Sequence, residues 1–342
     1  MKKLYNLRNS TTEIIFANTT KEVLLEDHDS VFIIDANVYE LYPKLLSDKV
    51  ETNKIYKYHA SEQTKNLASL TKIYDFLYER EVGRNTILYA IGGGITTDMA
   101  AFAASTFKRG VRLRLVPTTL LAMVDAALGG KTGLNYGGCK NMIGSFFPAE
   151  QIIIDTNFLR TLSEENMQAG MVEIVKMSFL PLSNLDEVLD KKDNRKLIET
   201  AIQTKMEICS QDLHDSGIRR LLNLGHTFAH ILESVSDYRL AHGFAVAIGL
   251  RAAAIFSNKK QFITDEQCNR IWNKLDKFQL PKFYPKNYEE KIKKVGESIL
   301  NHDKKRKAET ILILFHNNCE PFVYNTNQNS DIIATLLELA DD

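Results

Sequence analysis

The feature that most restricts this chain is an alternation that stops. Up to Asp155, short apolar runs alternate with segments of helical spacing. Val31-Phe-Ile-Ile34 reads as a buried strand ending at Asp35, Ile55 to Tyr58 as a weaker one, and Thr86 to Ile91 as a third, stopped by Gly92-Gly-Gly94. Leu113 to Val116, closed by Pro117, and Gln151 to Asp155 read as two more. Between them, Glu62 to Tyr78, Asp98 to Phe107 and Thr118 to Leu128 have helical character. Continuous apolar strands separated by helices predict a doubly wound, mostly parallel sheet, because only a strand covered on both faces loses its polar half. From Ser163 to about Gln279 the spacing is helical almost throughout, with a start signal at Ser163-Glu164-Glu165 and a break at Leu180-Pro181. Leu197 to Cys209, Arg220 to Glu233 and Phe244 to Phe256 are the clearest helices there. The expected organisation is an α/β domain over 1–155 and an all-α domain over 156–342, with a small late hairpin pairing Thr310–Phe315 with Pro321–Tyr324.

Charge excludes some functions. The chain has 342 residues, with 43 basic and 43 acidic side chains, so no general basic field attracts nucleic acid or a membrane surface. Lys2 and Lys3 resemble the start of a signal sequence, but Arg8, Asn9 and Ser10 interrupt any apolar core, and no run reaches spanning length. Cys139, Cys209, Cys268 and Cys319 are scattered without a CxxC, which predicts a reduced, cytoplasmic protein without disulfides.

Chemistry concentrates in a few stretches. Leu221-Leu-Asn-Leu-Gly-His-Thr-Phe-Ala-His230 places His226 and His230 four residues apart, on one face if helical, and His242 follows after a polar break. Neutral imidazole is a common zinc ligand, and a catalytic zinc takes three protein ligands and one open position. Glu173 and Lys176 lie three apart in an apolar segment, Ala169 to Met177. A buried carboxylate needs a partner or a metal, so Glu173 is a candidate third ligand beside two of the histidines. Gly92-Gly-Gly94, between a strand and a helix, lets backbone amides approach a pyrophosphate, and Asp35 at a strand end suits a ribose hydroxyl. From Arg109 to Asn141 the polar residues are dense: Arg109, Thr118, Thr119, Asp125, Gly129-Gly-Lys-Thr132, Lys140 and Asn141. Gly-Lys-Thr suggests a P-loop, but Asp125 stands where that motif needs glycine, and a helix precedes it instead of a strand. Cations beside glycine turns suit a small phosphorylated anion instead.

Taken together and in order, these segments resemble the 3-dehydroquinate synthase family of the sugar-phosphate cyclase superfamily. The resemblance runs from about Asp35 to about Lys305. It implies a nucleotide-binding α/β domain followed by an all-α metal-binding domain. Glu173, His226 and His242 match the metal ligands, for zinc or cobalt, and His230 then handles substrate phosphate and proton transfer. Asp35, Asn37, Glu62, Lys65, Gly92, Gly93, Gly94, Asp98, Thr118, Thr119, Asp125, Lys131, Lys140, Phe158 and Thr161 match positions that contact NAD. Asp125, Lys131, Asn141, Lys176, Lys205, Arg219 and Asn223 match substrate-side positions, and the lysines of Asp303-Lys304-Lys305 match a late substrate contact. Arg109 matches a residue that reaches the neighbouring subunit's substrate, which implies a homodimer. The implied reaction turns 3-deoxy-D-arabino-heptulosonate 7-phosphate into 3-dehydroquinate and phosphate, a lyase step of the shikimate route to chorismate and the aromatic amino acids.

Four positions depart from the family pattern. Phe244 stands where glutamate is usual after His242-Gly243, so a carboxylate supporting the metal site is expected to be missing. Thr97 replaces a glycine, and its Cβ would resist a positive φ. Cys139 replaces the glycine before Lys140-Asn141, and a glycine near Asp303 is absent. The competing readings are a sister cyclase using sedoheptulose 7-phosphate, a metal-dependent polyol dehydrogenase and a non-catalytic relative. Gly129-Gly130 and Asn223 keep the dehydroquinate-type pattern. The many cations argue against a simple dehydrogenase, and the full ligand set argues against a non-catalytic relative.

Overall fold

The structure, a computed structural model, describes residues 2–8, 10–20, 24, 29–46, 50–191, 193–303 and 309–341. Two compact units form: Met1–Met167 with Lys205–His214, and Gln168–Thr204 with Asp215–Asp342.

The first unit is built on a seven-stranded sheet of order β1-β2-β9-β6-β5-β3-β4. Its strands are β1 (Lys2–Leu7), β2 (Ser10–Phe16), β3 (Ser30–Asp35), β4 (Ile55–Tyr58), β5 (Ile87–Gly92), β6 (Arg112–Pro117) and β9 (Gln151–Ile154). All neighbours pair in parallel except β1 with β2. The five strands expected from apolar runs lie side by side as β9-β6-β5-β3-β4, ending at the β4 edge, and β5 is buried along its whole length. The β1–β2 hairpin has no strong signal because β1, at the sheet edge, alternates exposed with half-buried residues and carries few apolar side chains. A second hairpin, β7 (Lys131–Tyr136) with β8 (Cys139–Phe146), stands apart from the main sheet. Its strands lack an apolar signature because most of β8 is exposed or half-buried.

Helices that flank the sheet among the described residues include α1 (Ala36–Leu41), α2 (Leu67–Glu79) and α3 (Gly94–Thr106). The helix expected from Glu62 starts only at Leu67, because Asn66 caps it by accepting the Ser69 amide at 3.0 Å. Residues 61–65 instead close a turn of their own, with the Thr64 hydroxyl donating to His59 O at 2.8 Å. The helix expected over Thr118–Leu128 is a π turn at Ala122–Ala126, where the Thr119 hydroxyl accepts the Ala122 amide. Such turns occur disproportionately at functional sites, and Asp125 sits in this one. Helix α3 is apolar on most of its circumference and buried accordingly. On one side it meets the β7–β8 hairpin, where Ser105 and Ser145 hydroxyls lie 2.8 Å apart.

The second unit is mainly helical: α4 (Glu164–Met177, entering from the first unit's last residues), α5 (Asn194–Gln211), α6 (His226–Val235), α7 (His242–Lys259), α8 (Asp265–Lys277), α9 (Glu289–Asp303) and α10 (Asn329–Leu337). The C-terminal part of α5, from Lys205, belongs to the first unit. The expected late hairpin is present as β10 (Thr310–His316) and β11 (Glu320–Thr326). Helix α7 has small and aliphatic residues on nearly every face and is almost wholly buried. The helix expected over Arg220–Glu233 is broken: a 3-10 turn over Ile218–Asn223 ends before Gly225, and α6 begins at His226. Gly225 has φ +77°, and a Cβ there would lie 2.8 Å from the Leu250 amide nitrogen of α7. The break at this glycine is what lets α6 and α7 touch backbone to backbone.

This predicts the effect of Gly225→Ala. The left-handed conformation costs a non-glycine residue about 1–2 kcal/mol, and overpacking against α7 adds about 1–3 kcal/mol. Gly137, at φ +60° with nothing within 4 Å of a built Cβ, carries only the first cost. Thermal unfolding in chelator should show Gly225→Ala losing clearly more stability than Gly137→Ala; equal losses would contradict the packing argument.

Candidate functional site

Two constellations stand out, one in each unit. In the first, β3 hands the chain to β4 on one side while β5 lies on its other side, so strand order reverses at β3/β5. Such a switch point opens a crevice at the carboxyl ends of the strands. Asp35 closes β3, Gly92 to Gly94 follow β5, and Thr118 and Thr119 follow β6. Helix α3 starts from Gly93 without a side-chain cap, so its first-turn amides remain available to an anion. A Cβ on Gly93 would lie 3.2 Å from Thr119 Cγ2, so the room above this turn depends on the glycine. Burial pushes the Asp35 carboxyl up, against the Asn37 and Val38 amides that lower it, and its Oδ1 caps α1 by accepting the Asn37 amide.

Beside this crevice a polar network holds five more predicted residues. The buried Lys65 ammonium donates to Asp98 Oδ2 and Asn141 Oδ1, each at 2.6 Å. Burial pushes the Asp98 carboxyl up and Lys65 pulls it back. Asn135, which sequence reasoning missed, ties the network together. Its amide nitrogen donates to Lys65 O at 2.8 Å and its side-chain nitrogen to Glu62 Oε2 at 2.9 Å, while its Oδ1 accepts the Asn141 amide at 3.0 Å. Lys140 pairs with Glu62 at 3.2 Å in a part-exposed contact, of a kind that contributes at most about 1 kcal/mol. Tyr42 is a second missed residue: its hydroxyl is 2.8 Å from Thr161 Oγ1, and its ring meets Phe158 edge-on at 5.0 Å. Neither residue had a pattern to betray it. Lys205 donates to both the Asp125 carbonyl at 2.7 Å and its Oδ1 at 2.5 Å. Asn37, Arg109 and Lys131 are exposed, and Lys108, Arg109 and Gly110 carry three successive positive φ angles. Lys304 and Lys305 lie outside the described residues.

In the second unit, the apolar face of α4 buries Glu173 completely. An unpaired buried carboxylate costs several kcal/mol, so its surroundings are decisive. Lys176, one turn on and also buried, forms an ion pair with Glu173. Glu173 Oε1 has no hydrogen-bond donor among the described residues. It points instead at two imidazoles, 3.9 Å from His226 Nε2 and 3.7 Å from His242 Nε2. His226 Nδ1 lies 3.2 Å from Leu224 O, and His242 Nδ1 lies 3.1 Å from Glu233 Oε1. A carbonyl and a carboxylate can only accept here, so each Nδ1 carries the proton and each Nε2 presents a lone pair toward Glu173. Burial, then the Lys176 ammonium and the other two imidazoles, holds His226 well below the ordinary histidine range. It is therefore neutral, as a metal requires.

Glu173, His226 and His242 each offer one ligand atom, all within 4.8 Å of one another. Two donors on a tetrahedral ion with bonds of about 2.0–2.1 Å stand about 3.3 Å apart, so side-chain rotations on the order of 1 Å close the set on a cation. The donorless buried oxygen and the two aligned Nε2 atoms make a carboxylate–bis-imidazole pocket that fits a divalent ion. His230 is exposed, edge-on to His226 with ring centroids 5.9 Å apart. Arg219 is buried and Asn223 half-buried in the 3-10 turn that leads to His226.

Comparison with known proteins matches both halves of this arrangement. Residues 55–169 match the model of the 3-dehydroquinate synthase N-terminal region, and residues 170–306 that of its C-terminal region. The chain belongs to the 3-dehydroquinate synthase family. It is 34% identical over 315 residues to the 3-dehydroquinate synthase of Prochlorococcus marinus (strain AS9601), covering 87% of this chain and 85% of that protein. It is 45% identical over 235 residues to that of Legionella pneumophila (strain Paris), covering 66% of this chain, so the match spans 64% of the length of that relative. In fold it resembles the 2-epi-5-epi-valiolone synthase of Streptomyces hygroscopicus subsp. jinggangensis 5008, solved with NAD+ and Zn2+ bound. That TM-score is 0.84 at 23% identity, covering 98% of this chain and 99% of the other.

Three of the four expected departures from the family pattern are accommodated locally. Thr97 needs no positive φ: it lies within α3, and its hydroxyl donates to Gly94 O at 3.0 Å. Cys139 opens β8, while the left-handed turn before it is made by Gly137 and Gly138. Phe244 does not leave His242 without a carboxylate neighbour: Glu233 Oε1 lies 3.1 Å from its Nδ1.

One test addresses how the pocket is assembled. A Cβ on Gly243 would lie 2.3 Å from Ala169 Cα, one turn before Glu173 on α4. Gly243 is thus what lets His242 approach Glu173. Gly243→Ala must push α7 from α4 and should weaken zinc binding by at least about 10-fold, the scale seen when ligands lose their orientation. Zinc titration against a chromogenic chelator measures it; unchanged affinity would mean that the close approach does not set the ligand geometry.

Proposed function

We propose that this protein converts 3-deoxy-D-arabino-heptulosonate 7-phosphate into 3-dehydroquinate and phosphate, with NAD and one divalent cation, zinc or cobalt. The observation that carries the reading is the buried Glu173, His226 and His242 set with its donorless carboxylate oxygen, in a chain of this family. When bound, NAD takes up and later returns a hydride, and the cation polarises the substrate oxygen concerned. Everything else falls to the chain. Glu173, His226 and His242 hold the cation. The uncapped start of α3 and the residues around Lys65 hold the dinucleotide. Lys131, Asn141, Lys176, Arg219 and Asn223 orient the substrate's carboxylate and phosphate, and Lys205 joins them from a position fixed on Asp125. Much of the rate enhancement then comes from positioning and fixed charge. His230, exposed beside a metal ligand, moves the proton when phosphate leaves and the ring closes. Arg109, held on strained backbone, reaches the phosphate bound to a second copy, which makes the working unit a homodimer. No disulfide joins cysteines among the described residues, which fits a reducing, cytoplasmic setting.

Purified protein with NAD and the heptulosonate phosphate should release phosphate and dehydroquinate in equal amounts, well above the moles of NAD, without NADH accumulating. Stoichiometric NADH would indicate a dehydrogenase, and phosphate released from sedoheptulose 7-phosphate alone would indicate a sister cyclase. His226→Ala should purify largely without zinc, whereas His230→Ala should keep zinc and lose about two to four orders of magnitude in turnover. Metal loss from His230→Ala would make it a ligand. Mixing Arg109→Ala with Lys176→Ala chains should recover activity through hybrid dimers; no recovery after subunit exchange would refute the shared site.

A further inference from the structure

Glu233 is a buried acid that the proposed reaction leaves without a role. It lies on α6, seven residues after His226 and therefore two turns along the same face. Its side chain is 2% exposed, and Oε1 lies 3.1 Å from His242 Nδ1. Its backbone is pinned as firmly as its side chain. The Glu233 carbonyl accepts the Tyr238 amide at 2.8 Å and the Ser236 hydroxyl at 2.9 Å. Ser236 Oγ in turn accepts the Leu240 amide at 3.2 Å. The loop that delivers His242 to the start of α7 is thus folded back onto the residue that receives its imidazole.

We propose that Glu233 is the positioning residue of His242: it fixes the Nδ1–H tautomer and the ring plane so that Nε2 faces Glu173. This rests on reading Glu173, His226 and His242 as a metal site. A carboxylate behind a ligating imidazole holds the ring and raises its basicity, and losing such a partner typically costs about 10–100-fold in metal affinity. By this device a single helix, α6, sets two of the three ligands, one directly through His226 and one through Glu233. A purely structural pairing would satisfy two buried polar groups and leave metal affinity untouched.

The test is zinc affinity by competition with a chromogenic chelator, with unfolding of the metal-free protein as a parallel readout. Glu233→Gln keeps shape and an acceptor oxygen but loses the charge, and should weaken zinc binding about 10-fold while metal-free unfolding shifts little. Glu233→Ala should lose about 100-fold, and Co2+ spectra of both variants should show an altered ligand geometry. In a His242→Ala background, Glu233→Gln should cause no further loss, because the carboxylate acts only through that ring. Unchanged zinc affinity in Glu233→Gln, or an additive loss in the His242→Ala background, overturns the proposal. Failure of the unaltered protein to bind zinc overturns the metal reading itself and is distinguished from both.

Discussion

The buried carboxylate of Glu173 is the constraint on which the second unit turns. A charge taken out of water on the apolar face of α4 must be answered locally, and the structure answers it in layers. Lys176 supplies a counter-charge from the same helix. The Nε2 atoms of His226 and His242 converge on the remaining oxygen from two other helices. Gly243 permits the close approach of α7 to α4, and Gly225 that of α6 to α7, backbone contacts that a Cβ would block.

The first unit is organised differently. Its sheet is a frame whose special place is the switch point at β3/β5, and the chemistry is concentrated there by topology. The polar side chains near it are satisfied by one another: Lys65 by Asp98 and Asn141, Asn135 by Glu62 and Asn141. Networks of this kind are rigid when complete and costly when broken. That gives Asn135, which touches backbone and side chain alike, a weight its residue type alone does not suggest.

Three residues that are unexpected in the motifs carrying the family resemblance are accommodated where they occur. Thr97 lies inside a helix, where no positive φ is required. A cysteine follows two glycines that already make the turn. A phenylalanine follows His242-Gly243 while a carboxylate reaches the same imidazole from α6. The function of a site therefore depends on which groups arrive in space, and less on which position in the chain supplies them.

The sequence by itself determined the central strands, the change to helices after Asp155, the late hairpin and the family, because apolar periodicity and ordered motifs are local properties. It also marked Glu173, His226, His230 and His242 as chemically notable, yet spacing alone could not divide the histidines. Tertiary structure separates them by position. His226 and His242 turn Nε2 toward the buried acid, whereas His230, on the same helix as His226, stays exposed. It also decided the break at Gly225, the edge strand β1, the β7–β8 hairpin, and the contacts made by Asn135, Tyr42 and Glu233. Each of these depends on a partner distant in sequence, on a backbone contact between helices or on a half-solvated strand, and none of those leaves a period in the chain to read.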